Sequence, residues 1–204
     1  EEEVDDTLER QIDLLPDILQ TLGMQCVGKS NYEADDVLAS IAGKYSNTVI
    51  VTGDKDLFQV INDKRNIFVH LLGNDGGKLF SEKEIKNRFG IEADSYLDFA
   101  VLKGDSADGL PGLKGVGEKT ALAIIKEFKN INNLIEKYEK SKKLTDKQKT
   151  TIKDSLPYLK KALKVVELKK DLKITLNDPK KIETQKIYLK LRHFKIDNQI
   201  KLFI

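Results

Sequence analysis

Thr48-Val49-Ile50-Val51-Thr52-Gly53-Asp54-Lys55-Asp56 is the stretch on which the fold turns. Its first five residues form a short β-branched run, the pattern of a buried strand in a parallel sheet. Its last residues set two carboxylates just past the carboxyl end of that strand, where ligands gather in parallel α/β sheets. A spacing of two lets Asp54 and Asp56 converge if the segment stays extended. Taken alone, Gly53–Asp56 reads more readily as a polar turn.

Outward from this strand, the pattern alternates. On the N-terminal side, Leu8, Ile12, Leu15, Ile18, Leu19 and Leu22 recur at helical spacing and Gly23 is a stop signal. Pro16 predicts a kink or break in that helix. Met24–Val27 reads as a short strand, and Asn31 as the cap of a helix running to about Lys44. On the C-terminal side, Asn66–Leu72 and Lys78–Phe80 read as strands around a Gly73–Gly77 turn. Ser81 with Glu84 forms a capping box for a helix ending near Gly90. Asp94 to Lys103 is the next helix. Beyond Glu118 the pattern is mostly helical: Thr120–Phe128, Ile131–Lys140 and Thr145 to about Leu168, the last broken or bent at Pro157. Lys173–Leu176 reads as a short strand and Ile182–Phe194 as a closing helix. The front is therefore α/β and the back α-helical, with the boundary near Asp108.

Charge divides at the same place. The 204 residues carry a net charge of only +2. Residues 1–108, however, hold 11 Lys/Arg against 22 Asp/Glu, and residues 109–204 hold 24 against 11. The first part attracts cations and the second a polyanion, an asymmetry that suggests a nucleic-acid partner. Solvated helical faces would give the same bias without any partner. The single cysteine, Cys26, excludes an internal disulfide framework, and its apolar neighbours suggest a buried structural thiol. No apolar run approaches membrane-spanning length and no signal peptide is visible, so no membrane partner is expected. The chain opens Glu1-Glu2-Glu3 without a Met and reads as a fragment.

Asp54 and Asp56 are joined by two further acidic clusters, Glu33-Ala34-Asp35-Asp36 and Gly104-Asp105-Ser106-Ala107-Asp108. Glu33, Asp35 and Asp36 begin a helix, where acidic groups also complement the macrodipole. Asp105 and Asp108 end one, where carboxylates oppose the dipole and a structural explanation is weaker. Crowded carboxylates repel unless cations hold them, and hard oxygen donors suit Mg²⁺ or Mn²⁺. Two such ions stabilise the attacking and leaving oxygens of an in-line displacement. His70 and His193 are too scattered for a zinc site and read as structural.

The third element is Leu110-Pro111-Gly112-Leu113-Lys114-Gly115-Val116-Gly117, which opens an apolar helix. It has the form of a helix-hairpin-helix. Its glycines would admit close backbone approach to a phosphate, with Lys114 and Lys119 adding charge. The spacing of a P-loop is absent, as is a dinucleotide fingerprint. A purely structural tight turn is the alternative.

Taken in this order, Glu33–Asp36, Thr52–Asp56, Gly104–Pro111 and Gly115–Thr120 resemble the 5′→3′ exonuclease domain of bacterial-type DNA polymerase I, within the flap endonuclease superfamily. The likeness covers nearly the whole chain. It implies a PIN-like parallel-sheet core over residues 1–108, followed by a helical helix-hairpin-helix subdomain over 109–204. It also implies a nuclease of replication and repair that cuts 5′ flaps, nicks and 5′ ends of duplex DNA with two Mg²⁺ or Mn²⁺ ions, working as a monomer. By the same likeness Glu33, Asp35, Asp36, Asp54, Asp56, Asp105 and Asp108 match the metal-binding carboxylates. Lys114, Gly115, Val116, Gly117, Lys119 and Thr120 match the duplex-gripping turn, which often holds a K⁺. The family ordinarily carries a further N-terminal segment with a first strand, two more acidic ligands and a basic helical arch. The chain is expected to be a stand-alone nuclease or an excised domain, placed in the bacterial cytoplasm or in a DNA-containing organelle such as a plastid. A non-catalytic, structure-selective DNA-binding module is the rival expectation.

Overall fold

The computed structural model describes residues 6–105 and 109–177. They fall into two compact units, a smaller one that includes residues 6–32 and 173–177 and a larger one of residues 33–172.

In the smaller unit, α1 (Asp6–Thr21) runs unbroken through Pro16. A proline removes one intrahelical bond and crowds the carbonyl four residues back. That residue is Ile12, half exposed, so solvent can take up the freed group. The expected stripe forms on one helix, yet Leu8, Ile12 and Leu15 remain about half exposed rather than buried. Met24–Val27 and Lys173–Leu176 are not strands. A side-chain amide stands in for a ladder: Gln25 Nε2 donates to the carbonyl of Asn177, and the Asn177 N–H donates to Gln25 Oε1 at 2.8 Å. Cys26 is exposed, not buried, because its segment packs no strand face. The expected helix Ile182–Phe194, with His193, lies outside the described residues.

The larger unit begins with α2 (Ala34–Lys44), whose N-cap is Glu33. Asn31 sits instead in a left-handed turn at φ 66. Three strands follow, β1 (Thr48–Thr52), β2 (Ile67–Leu71) and β3 (Lys78–Phe80), in sheet order β1-β2-β3. β1 pairs parallel with β2, Ile50 opposite Val69, and β2 pairs antiparallel with β3, Val69 opposite Phe80. Ile50, Val69 and Phe80 thus point to one face and are buried. The other face is open: Val49 and Val51 are 53% and 59% exposed. The expected fully buried strand is therefore a half-buried edge strand among the described residues, since alternation sends every second side chain outward.

Helix α3 (Glu82–Phe89) starts at Ser81, whose Oγ accepts the N–H of Glu84 at 3.2 Å. The Glu84 carboxylate turns to Lys78 at 2.5 Å and leaves the capping box one-sided. After a single 3₁₀ turn, α4 (Tyr96–Lys103) crosses the core. The remaining helices are α5 (Glu118–Phe128), α6 (Ile131–Lys137), α7 (Asp146–Asp154) and α8 (Leu156–Val166). The expected long helix divides at Ser155, with Pro157 in the first turn of α8, where a missing N–H costs nothing. One continuous core links sheet and helices, centred on Phe58, Phe80, Phe89, Tyr96 and Phe99. Phe58 packs tilted against Phe80 at 4.7 Å and edge-to-face against Tyr96 at 5.0 Å between ring centres.

Candidate metal and nucleic-acid site

The acidic site grows out of the end of β1. Gly53 ends the strand, and the chain bends rather than staying extended. Asp54 N–H bonds Thr52 Oγ1 at 3.0 Å, and Asp54 Oδ1 accepts the N–H of Asp56 at 2.7 Å. Asp56 then opens a 3₁₀ turn whose next residues, Leu57 and Phe58, are fully buried. Buried neighbours fix the backbone of Asp56, and the Asx turn fixes Asp54 relative to it.

Asp105 comes from elsewhere in the chain. Helix α4 ends at Gly104, and Asp105 pairs with Leu110 in a two-residue bridge: N–H to O at 3.0 Å one way and 2.8 Å the other. Asp54, Asp56 and Asp105 then line one cavity of about 240 Å³, together with Gly53, Lys55, Tyr96 and Ala100. Tyr96 lies buried in the same lining. Burial pushes its hydroxyl far above the usual tyrosine range, and the charges of Asp56, Asp105 and Asp54 push it further. Three carboxylates from two distant segments therefore act on one buried point.

The other acidic residues are placed differently. Glu33 is exposed at the start of α2, and Asp35 and Asp36 occupy its first turn. Asp36 Oδ1 accepts the N–H of Lys169 at 2.8 Å. Ser40 Oγ donates to the Lys169 carbonyl at 3.0 Å and accepts from Leu172 at 3.1 Å. That carboxylate thus helps hold the 169–172 segment against α2. None of the Glu33–Asp36 group lines the cavity of Asp54, Asp56 and Asp105. Asp108 lies outside the described residues. Among the described residues, no three His, Cys, Asp or Glu side chains form a set that could by itself hold a metal ion. The donor chemistry of the cavity nevertheless suits a hard divalent ion, since its charged donors are all carboxylate oxygens.

The glycine-rich turn has a buried underside and an open top. Leu110, Leu113 and Val116 are buried, so Val116 can offer a ligand only its main chain. Lys114, Gly115, Gly117 and Lys119 are exposed and Thr120 half-buried. Gly115 has φ 76, which a side chain would strain, and nothing lies within 4 Å of where its Cβ would be. Gly117 is the N-cap of α5, with no side chain to satisfy the first N–H groups of that helix. Gly112 serves inward: a Cβ there would sit 2.5 Å from the Lys103 carbonyl.

Sequence reasoning missed Tyr96, Lys55 and Tyr158. Tyr96 and Ala100 share a helix face by their spacing of four, and that face leads to Asp105. Tyr158 touches this region through tertiary packing alone, and no local pattern marks it. His70, read as structural, bonds the Gly76 carbonyl through Nε2 at 3.0 Å.

Residues 2–90 match the model described as 5′-3′ exonuclease, N-terminal resolvase-like domain, and residues 91–190 match 5′-3′ exonuclease, C-terminal SAM fold. A 5′-3′ exonuclease of Aquifex aeolicus is 31% identical over 204 residues, covering 96% of this chain and 67% of that protein. The chain belongs to the 5′-3′ exonuclease family. A second member, the 5′-3′ exonuclease of Streptomyces coelicolor, is 37% identical over 175 residues, which span 84% of this chain and 58% of the relative. This chain therefore spans little more than half the length of that relative. Two solved structures from bacteriophage T5 share the fold at 20% identity, covering 83% of this chain and 63% of theirs. One is a 5′-exonuclease with bound zinc (TM-score 0.65), the other a flap endonuclease complexed with DNA and metal ions (TM-score 0.64). The mixed α/β core followed by helices, expected from the strand and the glycine-rich turn, is the fold of this exonuclease family.

Proposed function

We propose that this chain forms the acidic core and the duplex-gripping helices of a divalent-metal-dependent 5′ nuclease that hydrolyses DNA phosphodiesters. The observation that carries this reading is the single cavity shared by Asp54, Asp56 and Asp105, joined through a short backbone bridge to the glycine-rich turn.

In this reading Asp54, Asp56 and Asp105 hold Mg²⁺ or Mn²⁺, with Glu33, Asp35, Asp36 and Asp108 completing the set for two ions. Bound there, such ions supply an activated water and neutralise charge on the attacking and leaving oxygens of an in-line displacement. The chain's own residues do the rest. The Asx turn at Asp54 and the buried Leu57–Phe58 pair hold two carboxylates in place before substrate arrives. Tyr96 and Ala100 close one wall of the cavity. Lys114 and Lys119, with the N–H groups of the exposed Gly115 and Gly117 and of the start of α5, contact duplex phosphates irrespective of sequence. Val116 contributes main chain only, and Thr120 its hydroxyl; a K⁺ would bind at the carbonyls of this turn.

The division of labour follows charge, with residues 1–108 for the ions and 109–204 for the duplex. Support comes from the T5 flap endonuclease of the same fold, whose structure contains DNA and metal ions. The substrates proposed are 5′ flaps, nicks and 5′ ends of duplex DNA, met in a DNA-containing compartment by a monomer. The test is cleavage of a 5′-labelled flap duplex with Mg²⁺ or with chelator. Metal-dependent release of short 5′ products supports a nuclease. Salt-sensitive duplex binding without cleavage in any metal would make the chain a binding module instead.

A further inference from the structure

The structure assigns Tyr158 of α8 as a positioning residue that fixes the distance between the acidic cavity and the glycine-rich turn, a role that rests on the nuclease reading above.

Helix α4 ends between the two sites, and its last carbonyls need partners. The Tyr158 hydroxyl donates to the Val101 carbonyl at 3.0 Å and accepts the Gly112 N–H at 3.1 Å. Leu113 N–H bonds the next carbonyl, Leu102, at 3.0 Å. One phenol thus joins the end of the helix that leads into Asp105 to the turn that carries Lys114. The backbones meet so closely that only glycine fits on either side. A Cβ on Gly104 would lie 2.9 Å from Gly112 N, and one on Gly112 would lie 2.7 Å from Gly104 N. Both have positive φ, 88 and 67. Between them the Asp105–Leu110 bridge closes the hairpin.

This packing holds Gly104 and Gly112 in contact, and the buried Leu113, bonded to Leu102, anchors the turn one residue further on. The Tyr158 hydroxyl adds a separate hold on Gly112 from a third element, α8. A tyrosine hydroxyl is protonated, and able to donate, at neutral pH. In a nuclease that grips duplex at one place and cuts at another, such a link determines which phosphodiester reaches the metal-binding carboxylates. Geometry of this kind is costly to lose: a displacement of about 1 Å costs on the order of 100-fold in rate.

The experiment compares the full chain with Tyr158→Phe, which keeps the ring and removes the hydroxyl. Tyr138→Phe is the control, since among the described residues the Tyr138 hydroxyl bonds its neighbour Glu139, away from the turn. On a labelled 5′-flap duplex in Mg²⁺, Tyr158→Phe should lower kcat about 10-fold, leave KM within about 2-fold, and spread cutting over neighbouring phosphodiesters. Tyr138→Phe should leave the cut position unchanged. A second readout needs no activity: amide hydrogen exchange should quicken at Gly112 and at 113–117 together in Tyr158→Phe, with α7 unaffected. An unchanged cut position overturns the assignment, as does quickened exchange confined to Gly112. If the wild-type chain neither binds nor cuts DNA, the nuclease reading fails, while exchange still decides whether the link holds the turn.

Discussion

The acidic cavity and the glycine-rich turn lie at the two ends of one hairpin, yet they are built on opposite principles. At the cavity, three half-buried carboxylates line one space with the buried Tyr96, whose hydroxyl is raised first by burial and then by their charges. Like charges gathered about one cavity repel one another, and a bound cation would relieve that repulsion. At the turn, Leu110, Leu113 and Val116 are driven into the core while glycines and lysines remain in solvent. One site is held in spite of its chemistry and the other because of it. Substitutions in the cavity should therefore trade activity against stability, and those beneath the turn should simply cost stability.

The largest expected effect is at the cavity. Asp105→Asn should reduce Mg²⁺-dependent flap cleavage by at least about 100-fold, the scale on which one lost electrostatic stabiliser acts. In chelator the same variant should melt at the same temperature as wild type or higher, because one repelling charge has gone. A lower melting temperature in chelator would break the contrast drawn here. Next comes the underside of the turn. Leu113 is 3% exposed, so Leu113→Ala should destabilise the chain by about 2–5 kcal/mol in denaturant titration. A smaller loss would mean that the turn is not anchored in the core.

On its open top, Lys114→Ala and Lys119→Ala should each weaken duplex binding several-fold and lower the salt slope by about 1. The smallest effect is expected away from both sites, at Asp98. Its carboxylate caps α6 by accepting the Ile131 N–H at 2.7 Å, but burial raises its pKa above the ordinary 3.8. A folded pKa above the unfolded one means that the native state holds the proton more tightly. The Asp98 contribution to stability therefore declines as pH rises from about 3.8 through the raised native value. Asp98→Asn keeps an acceptor and removes the charge. Its melting temperature relative to wild type should rise across that window, as thermal scans at successive pH values would show.

Much of this was legible in the chain itself. β1, β2, the two ends of α3 and the break at Ser155 follow from β-branched runs, Ser81, Gly90 and Pro157, all local signals. Both candidate clusters could be named from the sequence, since Asp-rich ends of elements and Gly-rich helix starts are short-range patterns. What escaped was tertiary. Val49 and Val51 read as core because β-branching does not say how many faces of a strand are covered. Met24–Val27 and Lys173–Leu176 read as strands, yet Gln25 and Asn177 join them through one side chain. Asp36 carries a bond to Lys169 that no spacing announces, and Tyr158 reaches Gly112 only because α8 packs across α4.

The central claim is that Asp54, Asp56 and Asp105 form one cation site, and calorimetric titration with Mn²⁺ tests it most directly. Wild type should bind with a saturable heat that both Asp54→Asn and Asp105→Asn weaken by about 10-fold or more, although the two residues lie on separate segments. Titrations that these two variants leave unchanged would contradict the account.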